Sequence, residues 1–547
     1  MVNFDLSSSL IAGFALLAQS PFFADAVPQS SSSGPDPSVE LGDGKIIGTT
    51  GTIPDLKDPV NKYLGIPYAK SPPERFSKAE DPEKWTSPKD VKDLKPACIQ
   101  QFNRPISKEL FNTPPPPESE DCLYINVYTP STPAPSEGRA VMFWIYGGSL
   151  QFGSSWNDEY DGSYIAGYED VIVVTFNYRT NERLIDSIRV AVFGFPNSPD
   201  LSPYDQNLAL LDQRKALDWV AKNIKAFGGD PNKVTLFGES AGGFSVKMLW
   251  ALPPKPLNFQ GAIIQSQGGA GPTDGGIAWR NLTKTLNCTS TPSKKEIDCV
   301  RDKPVDLIRS IIEKNRLNFA PKVENRTAIT HIENQIRMRT AAQVPILIGS
   351  NGDEGSIFQV TFDFKTLNQT LQYFFPNQTV IQQAVQATYR RQYPNNEIAA
   401  IRALIRDASY TCFTSAIAQT AASNQYQAFR YYYNATFDNL PVPKNLVPNP
   451  GAYHSSEVYS VFGTYPKDGA TTQQKDLSRY MMKAWADFAK NPRRGPAPND
   501  GWPQIGSSFR DLWVVGNDGR AGGYPIRQEV TDANCRLFAG PLWAIGL

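Results

Sequence analysis

The sequence predicts an α/β fold in which a large, mostly parallel central sheet carries helices on both faces. The first observation is a set of continuous apolar runs, typical of strands buried on both faces, at residues 141–146, 171–176 and 234–237. The second is an amphipathic helical pattern over 207–227, which ends at Gly228 and Gly229. Strands that alternate with helices favour a parallel sheet covered on both sides.

The other elements follow in chain order. We expect short strands and turns over 45–57 and 60–69, and further strands near 120–128, 262–265 and 345–348. The stretch 98–122 contains four consecutive prolines at 114–117, so it is predicted to be a loop rather than a helix. Ligands of such sheets bind beyond the C-terminal ends of the strands. Candidate functional residues are therefore sought at those ends.

Length alone suggests two or more domains, but large α/β domains can run longer, and we assign residues 38–547 to a single domain. The chain has 547 residues, of which 40% are hydrophobic and 20% charged, enough for a large core. Lys+Arg and Asp+Glu both number 54, so the net charge is zero and nothing indicates binding to nucleic acid or to an anionic membrane surface. Only two histidines are present, which disfavours a histidine-rich metal site and leaves two candidates for a general base.

The N-terminus has the pattern of a secretory signal peptide. Residues 10–18 form an apolar run and Ala24-Asp25-Ala26 is a small-x-small cleavage pattern, so 1–26 is predicted to be removed on secretion. A buried N-terminal strand is the alternative, because no Lys or Arg precedes the run. Residues 27–37, rich in Ser, Pro and Gly, are predicted to be a disordered leader. No later apolar run reaches 18 residues, so no integral membrane segment is expected.

Cysteines and glycosylation sequons agree with a secreted protein. Six cysteines argue for disulfides in an oxidising compartment, although six allow 15 pairings and the residues alone do not choose among them. Six N-x-S/T sequons all fall in the second half of the chain, at Asn281, Asn287, Asn325, Asn368, Asn377 and Asn434. We therefore expect a disulfide-bonded glycoprotein.

One short stretch carries the chemistry. Residues 234–237 read as a buried strand, 244–249 as the start of a helix, and G-x-S-x-G lies between them with Ser240 at its centre. A serine at such a sharp turn is strained and exposed, and a side chain at Gly238 or Gly242 would crowd the turn. The amide of Ala241, at a helix N-terminus, would favour a developing negative charge. A plain Gly/Ser loop is the alternative.

A serine hydroxyl needs an adjacent base, and that base needs a carboxylate to hold its tautomer. His454 is the better base, since His331 lies in a polar, helix-like segment and is interpreted as a surface histidine. A carboxylate follows the strand predicted at 345–348, but composition does not decide between Asp353 and Glu354. The resulting order of serine, acid and histidine is the one found in hydrolases with a strand–serine–helix turn.

Backbone N–H groups for an oxyanion follow another predicted strand. Gly147-Gly148-Ser149 comes directly after the run 141–146, and could supply two donors beside Ala241. A plain turn is the alternative for this segment. Four elements in the right order, each at a strand end, make coincidence a poor explanation.

With these motifs the chain resembles the type-B carboxylesterase/lipase (cholinesterase-like) family of α/β-hydrolases, and is most like its secreted fungal members. The resemblance extends from Tyr63 to Trp543, and its motifs lie at 63–69, 119–127, 212–242, 353–355, 451–463 and 485–489.

The resemblance implies Ser240 as nucleophile, Glu354 as acid and His454 as base. It further implies oxyanion donors at Gly148, Ser149 and Ala241, and the disulfides Cys98–Cys122, Cys288–Cys299 and Cys412–Cys535. The implied reaction is acyl transfer from a small-molecule or lipid ester to the serine and then to water, without cofactor or metal. We expect activity to rise as His454 loses its proton, with an apparent pKa of about 6–7.

The sequence departs from the family pattern in three places. Ser149 stands where a third glycine is usual, and a segment at 180–191 intervenes before the Phe-Gly-Phe stretch, as an inserted loop or a mis-predicted splice junction. The loop 98–122 contains no tryptophan, which disfavours choline esters as the preferred substrate. The same loop is short and without a clear helical period, which favours an esterase over a lipase with a lid.

Two rival classes share the fold. A non-catalytic binding protein is disfavoured because all three triad residues are present. A serine peptidase is disfavoured by the segments around Cys122 and Glu354. Glu239, beside the serine, is either an electrostatic partner of His454 or a buried structural carboxylate.

Overall fold

A sheet of 11 strands lies at the centre of the computed structural model, which describes residues 35–102, 104–180, 192–268, 275–290 and 294–539. In chain order the strands are β1 Ser38–Leu41, β2 Gly44–Ile47, β3 Thr49–Gly51, β4 Val60–Pro67, β5 Lys89–Asp90, β6 Tyr124–Pro130, β7 Arg139–Ile145, β8 Ile172–Phe176, β9 Gly229–Glu239, β10 Gly261–Gln265, β11 Ile346–Asn351, β12 Ala428–Tyr433, β13 Leu512–Val515 and β14 Gly523–Ile526. The central sheet has the order β14-β13-β12-β11-β10-β9-β7-β8-β6-β4-β3, and β1, β2 and β5 form a small separate sheet.

The middle of the central sheet is parallel and its two ends are antiparallel. Neighbouring strands from β8 through β7, β9, β10, β11 and β12 to β13 pair in parallel. Strands β6, β4 and β3 at one end and β14 at the other pair antiparallel. The prediction of a large, mostly parallel sheet is confirmed, and the strands that carry the candidate site all belong to its parallel part.

Helices cover both faces of this sheet. In chain order they are α1 Pro105–Phe111, α2 Ser163–Glu169, α3 Leu208–Asn223, α4 Ala241–Ala251, α5 Gly275–Thr285, α6 Glu296–Arg301, α7 Val305–Asn315, α8 Ile332–Arg337, α9 Gly355–Thr361, α10 Leu367–Phe374, α11 Thr379–Gln392, α12 Glu397–Arg406, α13 Cys412–Ser423, α14 Ser456–Phe462, α15 Thr472–Lys490 and α16 Glu529–Asp532. A π-helical segment, Asp407–Thr411, joins α12 to α13.

Two central strands, β7 and β8, are buried along their whole length. All residues of β7 and of β8 are buried, as their continuous apolar runs predicted, because a strand covered on both faces has no solvent side. The helix predicted over 207–227 is also confirmed. It forms α3 and continues as a 3₁₀ turn, Ile224–Phe227, and Gly228 then ends it at a φ of 85°.

The prediction for residues 98–122 is wrong in one respect, since this loop contains the short helix α1. Pro105 stands in its first turn, where the backbone N–H would have no intrahelical acceptor in any case. The four prolines at 114–117 come after the helix has ended. They therefore limit its length but do not prevent it from forming.

Three disulfides tie distant segments of the chain together. The pairs are Cys98–Cys122, Cys288–Cys299 and Cys412–Cys535, the pairings that the family resemblance implied. The last joins residues 123 positions apart. In the chain-entropy model, closing a loop of that size stabilises the fold by roughly 4–5 kcal/mol.

Some predictions concern residues outside the described part of the chain. These are the signal peptide at 1–26, most of the leader at 27–37, and the intervening segment at 180–191 from residue 181 onward. Within the described ranges, no helix combines the length and the apolar composition needed to cross a bilayer.

Candidate active site

Ser240 occupies a strained turn between β9 and α4. Its φ of 57° and ψ of −119° fall outside the regions that a serine ordinarily adopts. A Cβ at Gly242 would lie 1.8 Å from the carbonyl oxygen of Ile145, and one at Gly238 would lie 2.7 Å from the same atom. Only glycine fits these two positions, and the serine is thereby held at the C-terminal edge of the parallel sheet.

The predicted acid and base are joined directly. His454 Nδ1 lies 2.5 Å from Glu354 Oε2, and both side chains are buried. The other carboxylate oxygen of Glu354 accepts a hydrogen bond from the backbone N–H of Asn351 at 2.7 Å. In the neutral imidazole, a carboxylate on this side favours the tautomer with its proton on Nδ1, which leaves Nε2 able to act as a base.

The neighbouring carboxylate, Asp353, has a different task. Its side chain is exposed, and its Oδ2 accepts a hydrogen bond from the backbone N–H of Ala452 at 2.9 Å. The backbone of Asp353 pairs with the same loop, because its N–H donates to the carbonyl of Ala452. Asp353 therefore positions the loop that carries His454, whereas Glu354 contacts the imidazole itself.

Two aromatic rings contact the imidazole of His454. The ring centroids of Phe358 and Tyr410 lie 4.9 and 4.8 Å from it, and the two rings stack on each other at 5.5 Å. Phe358 belongs to α9, one turn after Glu354, while Tyr410 comes from the π-helical segment. Sequence reasoning missed both, since neither a single phenylalanine nor a π-helix has a clear sequence signal.

The serine and the imidazole line one cavity of about 390 Å³ but are not hydrogen-bonded to each other. His454 Nε2 lies 3.1 Å from Glu239 Oε1, out of line for a hydrogen bond, and Ser455 donates its hydroxyl to that same oxygen at 2.7 Å. Catalytic hydrogen bonds are often long in unliganded enzymes and tighten when substrate binds.

The predicted oxyanion loop faces this cavity. Gly148 and Ser149 have φ values of 99° and 56°. The backbone N–H groups of Gly148, Ser149 and Ala241 donate to no acceptor among the described residues. A Cβ at Gly147 would lie 3.0 Å from the Cβ of Ser240, which shows how closely the loop approaches the serine. Unpaired N–H groups beside a nucleophile are suited to bind a negative oxygen.

Three buried carboxylates surround one imidazole. Burial raises the pKa of Glu239 to about 8. Burial and the charge of Glu354 raise the pKa of Glu457 to about 7. For His454, burial alone would lower the pKa, but the charges of Glu239 and Glu354 outweigh it and raise the pKa to about 9. The expected apparent pKa of about 6–7 treated the histidine as unperturbed, whereas these charges favour a higher value.

Glu457 is held by amide groups, and sequence reasoning missed it. Its Oε2 accepts from Asn351 Nδ2 at 2.6 Å and its Oε1 from Gln265 Nε2 at 3.1 Å. Asn351 thus holds two carboxylates, Glu354 through its backbone and Glu457 through its side chain. The place of Asn351 at the end of the strand that precedes Glu354 was the only signal available in the sequence. His331, by contrast, lies half exposed against Glu333 and is remote from these contacts.

Aromatic side chains form much of the cavity wall. Phe102 and Phe111, from the disulfide-closed loop 98–122, stack on Phe152 with centroid distances of 4.8 and 5.3 Å. Trp156 also lines the cavity. The expectation about choline esters considered only the loop 98–122, and so overlooked an indole supplied by the segment after the oxyanion loop.

The fold and the site together define an α/β-hydrolase: a parallel sheet, a strained serine between a strand and a helix, and a histidine bonded to a carboxylate. Comparison with known proteins gives the family. The model of the carboxylesterase family matches residues 35–537, and the chain belongs to this family of carboxylic ester hydrolases.

Characterised relatives cover most of the chain. The para-nitrobenzyl esterase of Bacillus subtilis is 31% identical over 507 residues, which are 87% of this chain and 94% of the relative. Carboxylesterase 1D of Rattus norvegicus is 30% identical over 515 residues, covering 86% of this chain and 87% of the relative. The cholinesterase of Mus musculus is 30% identical over 511 residues, covering 85% and 81%.

Proposed function

We propose that the protein is a secreted serine carboxylic ester hydrolase, with Ser240, His454 and Glu354 as its triad. The observation that carries this proposal is the 2.5 Å contact between His454 and Glu354, on an imidazole that lines the same cavity as the strained serine. Family membership supports ester hydrolysis, and this geometry supports the assignment of roles.

In the first half of the reaction, Ser240 Oγ attacks the ester carbonyl carbon as His454 Nε2 takes the hydroxyl proton. The carbonyl π pair moves onto oxygen, and the N–H groups of Gly148, Ser149 and Ala241 stabilise the resulting oxyanion. When the carbonyl re-forms, the C–O bond to the alcohol breaks, and the imidazolium returns its proton to the departing alkoxide. The acyl group is left on the serine.

In the second half, water takes the place of the alcohol. His454 removes a proton from water, the hydroxide attacks the acyl carbon, and a second oxyanion forms in the same position. Its collapse breaks the bond to Ser240 Oγ, which takes the proton back from the imidazolium. Glu354 stabilises the imidazolium in both halves and keeps its own charge throughout.

Replacement of the nucleophile tests this proposal. The wild-type protein is expected to hydrolyse p-nitrophenyl acyl esters and not a peptide, and Ser240→Ala is expected to abolish ester hydrolysis. The exposed Ser136→Ala serves as the matched control and is expected to retain full activity. A wild-type protein without esterase activity would favour the binding-protein alternative, and peptide cleavage would favour the peptidase.

A lipase with a lid is the second candidate, because α1 and its neighbours line the cavity with Leu110 and Phe111. We favour the esterase, since stacking of Phe102 and Phe111 on Phe152 fastens this loop to the oxyanion segment. Rates on a triacylglycerol should therefore rise smoothly with concentration through the solubility limit. A jump in rate when emulsion droplets form would support the lipase. A panel of esters graded by acyl length would define the substrate.

We further propose that five of the six sequons carry glycans. The side chains at five positions are exposed: Asn281, Asn287, Asn325, Asn368 and Asn377. Asn434 is half-buried, and its Nδ2 donates to Asn517 Oδ1 at 2.7 Å, so a glycan there would displace a contact of the fold. Protein secreted from a eukaryotic host, treated with a glycosidase that leaves aspartate behind, should show the conversion at five sites by mass spectrometry. Absence of the mature chain from the medium would contradict secretion.

A further inference from the structure

Ser149 is a residue with a side chain at a position whose backbone conformation favours glycine. Its φ is 56°, and its neighbour Gly148 has a φ of 99°. At Gly148 glycine is obligatory, because a Cβ there would lie 2.3 Å from the carbonyl oxygen of Phe152. At position 149 the chain accommodates a Cβ in the left-handed region. A serine side chain in this region is uncommon, which raises the question of what it does.

The hydroxyl of Ser149 has no hydrogen-bond partner among the described residues. Buried polar side chains without a hydrogen-bond partner are rare. Ser149 is not enclosed in this way, because it lines the cavity that also contains Ser240 and His454. The neighbouring Ser154 and Ser155 both bond Asn177. Ser149 is therefore the serine of this segment whose hydroxyl remains available to a molecule in the cavity.

The location of that hydroxyl is set by the backbone on either side. The N–H of Ser149 is one of the three unpaired donors beside the nucleophile, and the loop approaches Ser240 so closely that a Cβ at Gly147 would lie 3.0 Å from that of the serine. The hydroxyl of Ser149 is two bonds from its Cα, so a χ1 rotamer directed toward Ser240 is what would bring it to the carbonyl oxygen of a bound ester. Groups that become charged only in the transition state gain most from a pre-positioned donor.

We propose that the Ser149 side chain is a fourth oxyanion donor: its O–H donates a hydrogen bond to the oxygen that becomes negative during acylation and deacylation. No covalent bond to Ser149 forms or breaks, and its proton stays on Oγ. The inference rests on the proposed function, since it requires the oxyanion of an ester hydrolase. It assigns a catalytic role to the side chain, whereas the family resemblance implied only the backbone N–H.

Two substitutions separate the hydroxyl from the backbone. Ser149→Ala removes the hydroxyl and keeps the Cβ, while Ser149→Gly removes both and relieves the left-handed strain. Both variants keep the backbone N–H. We expect kcat on a p-nitrophenyl ester to fall about tenfold or more in each variant. This loss should be smaller than the loss of about 10²–10³ in kcat that removal of an oxyanion donor causes elsewhere, because three N–H groups remain. KM should stay within about twofold, because the bond is made in the transition state.

A structural role for the side chain predicts a different pattern. If the side chain had only a structural role, kcat and Tm of Ser149→Gly would fall together. The proposed role predicts instead that kcat falls while Tm is kept or raised, because glycine relieves the left-handed strain. Asp55→Ala is the matched control, because Asp55 is an exposed polar residue with a φ of 67° and lies outside the cavity. It should leave kcat unchanged.

Binding of an alkyl trifluoromethyl ketone gives a second readout, because addition of Ser240 to it creates an oxyanion without turnover. Its Kd should weaken about tenfold or more in Ser149→Ala, in parallel with kcat. Unchanged kcat and unchanged Kd in Ser149→Ala would overturn this inference while an active wild type and an inactive Ser240→Ala still upheld the esterase. An inactive wild type would instead refute the proposed function.

Discussion

The two halves of the candidate site are built in opposite ways. The acid–base half, around Glu354 and His454, is buried and rich in hydrogen bonds, and its carboxylates accept from backbone and amide N–H groups. The electrophilic half, around Ser240 and Ser149, contains four residues at positive φ, Gly148, Ser149, Leu150 and Ser240, and three N–H groups without acceptors in the described part of the chain. The carboxylates of the first half are hydrogen-bonded on several sides, whereas the backbone donors of the second half have no acceptor among the described residues.

This difference follows from what each half must do. A general base must keep one tautomer and one orientation throughout the reaction, which hydrogen bonds and ring contacts can fix. An oxyanion site must bind a charge that exists only briefly, so its donors must stay unpaired and be positioned by the backbone instead. The cost is backbone strain, which the surrounding glycines allow. The two halves should therefore respond differently to substitution.

Loss of the triad carboxylate should have the largest effect. In Glu354→Gln, an amide replaces the acceptor of the Nδ1 hydrogen bond, so the wrong tautomer of His454 is favoured. We expect kcat to fall by about 10⁴-fold, as for comparable triads, with the fold retained. Asp353→Asn is the matched control, and should cost no more than about tenfold because it contacts only the loop. The outcome would be reversed if Asp353 were the triad acid.

A single methyl group added to the turn that holds Ser240 should disrupt the electrophilic half. In Gly242→Ala the new Cβ would lie 1.8 Å from the carbonyl oxygen of Ile145, so β7 and the turn must separate. We expect a loss of unfolding free energy of about 3 kcal/mol or more, measured by denaturant titration, and a large loss of kcat. Gly522→Ala, whose Cβ would lie 3.8 Å from its nearest neighbour, should change neither. A stable and active Gly242→Ala would show that the turn is not strained as described.

The same contrast explains what the sequence could predict. The strained turn at Ser240 was predictable, because its steric requirement appears directly in the sequence as glycines at 238 and 242 after an apolar run. The choice between Asp353 and Glu354 was not, because both follow the same strand and only the tertiary contact of one with His454 separates them. The resemblance to a family supplied that choice, and the geometry then gave each carboxylate a distinct partner.

Long-range contacts account for the other misses. Tyr410 contacts the imidazole, and Glu457 bonds Asn351 and Gln265, from segments whose local patterns describe ordinary helices, so their roles depend on how those segments pack. The expected apparent pKa was that of an isolated histidine, whereas the field on His454 comes from Glu239 at the end of β9 and from Glu354 just after β11. Helix α1 was missed because the prolines that follow it were taken to govern the entire loop.

Removing one charge from the acid–base half should move its pH dependence. Activity requires neutral His454, whose pKa is raised to about 9, in part by Glu239. In Glu239→Gln the protonated imidazole loses one neighbouring negative charge, so its pKa falls and the rising limb of the kcat/KM profile moves to lower pH. We expect a shift of about one unit or more. A limb that stays in place, or moves to higher pH, would show that Glu239 is neutral over this range and only structural.

The smallest effect should come from the rings that contact the imidazole, since these contacts orient a base that Glu354 already holds. Tyr410→Leu removes one ring at 4.8 Å and frees the imidazole to tilt. We expect kcat to fall about three- to tenfold with KM unchanged, because even slight misplacement of a catalytic group slows the reaction. Tyr410→Phe keeps the ring and should restore the wild-type rate. If Tyr410→Phe lowered kcat as much as Tyr410→Leu, the hydroxyl of Tyr410 rather than its ring would be the contributing group. The acid–base half would then contain one more polar contact than the geometry shows.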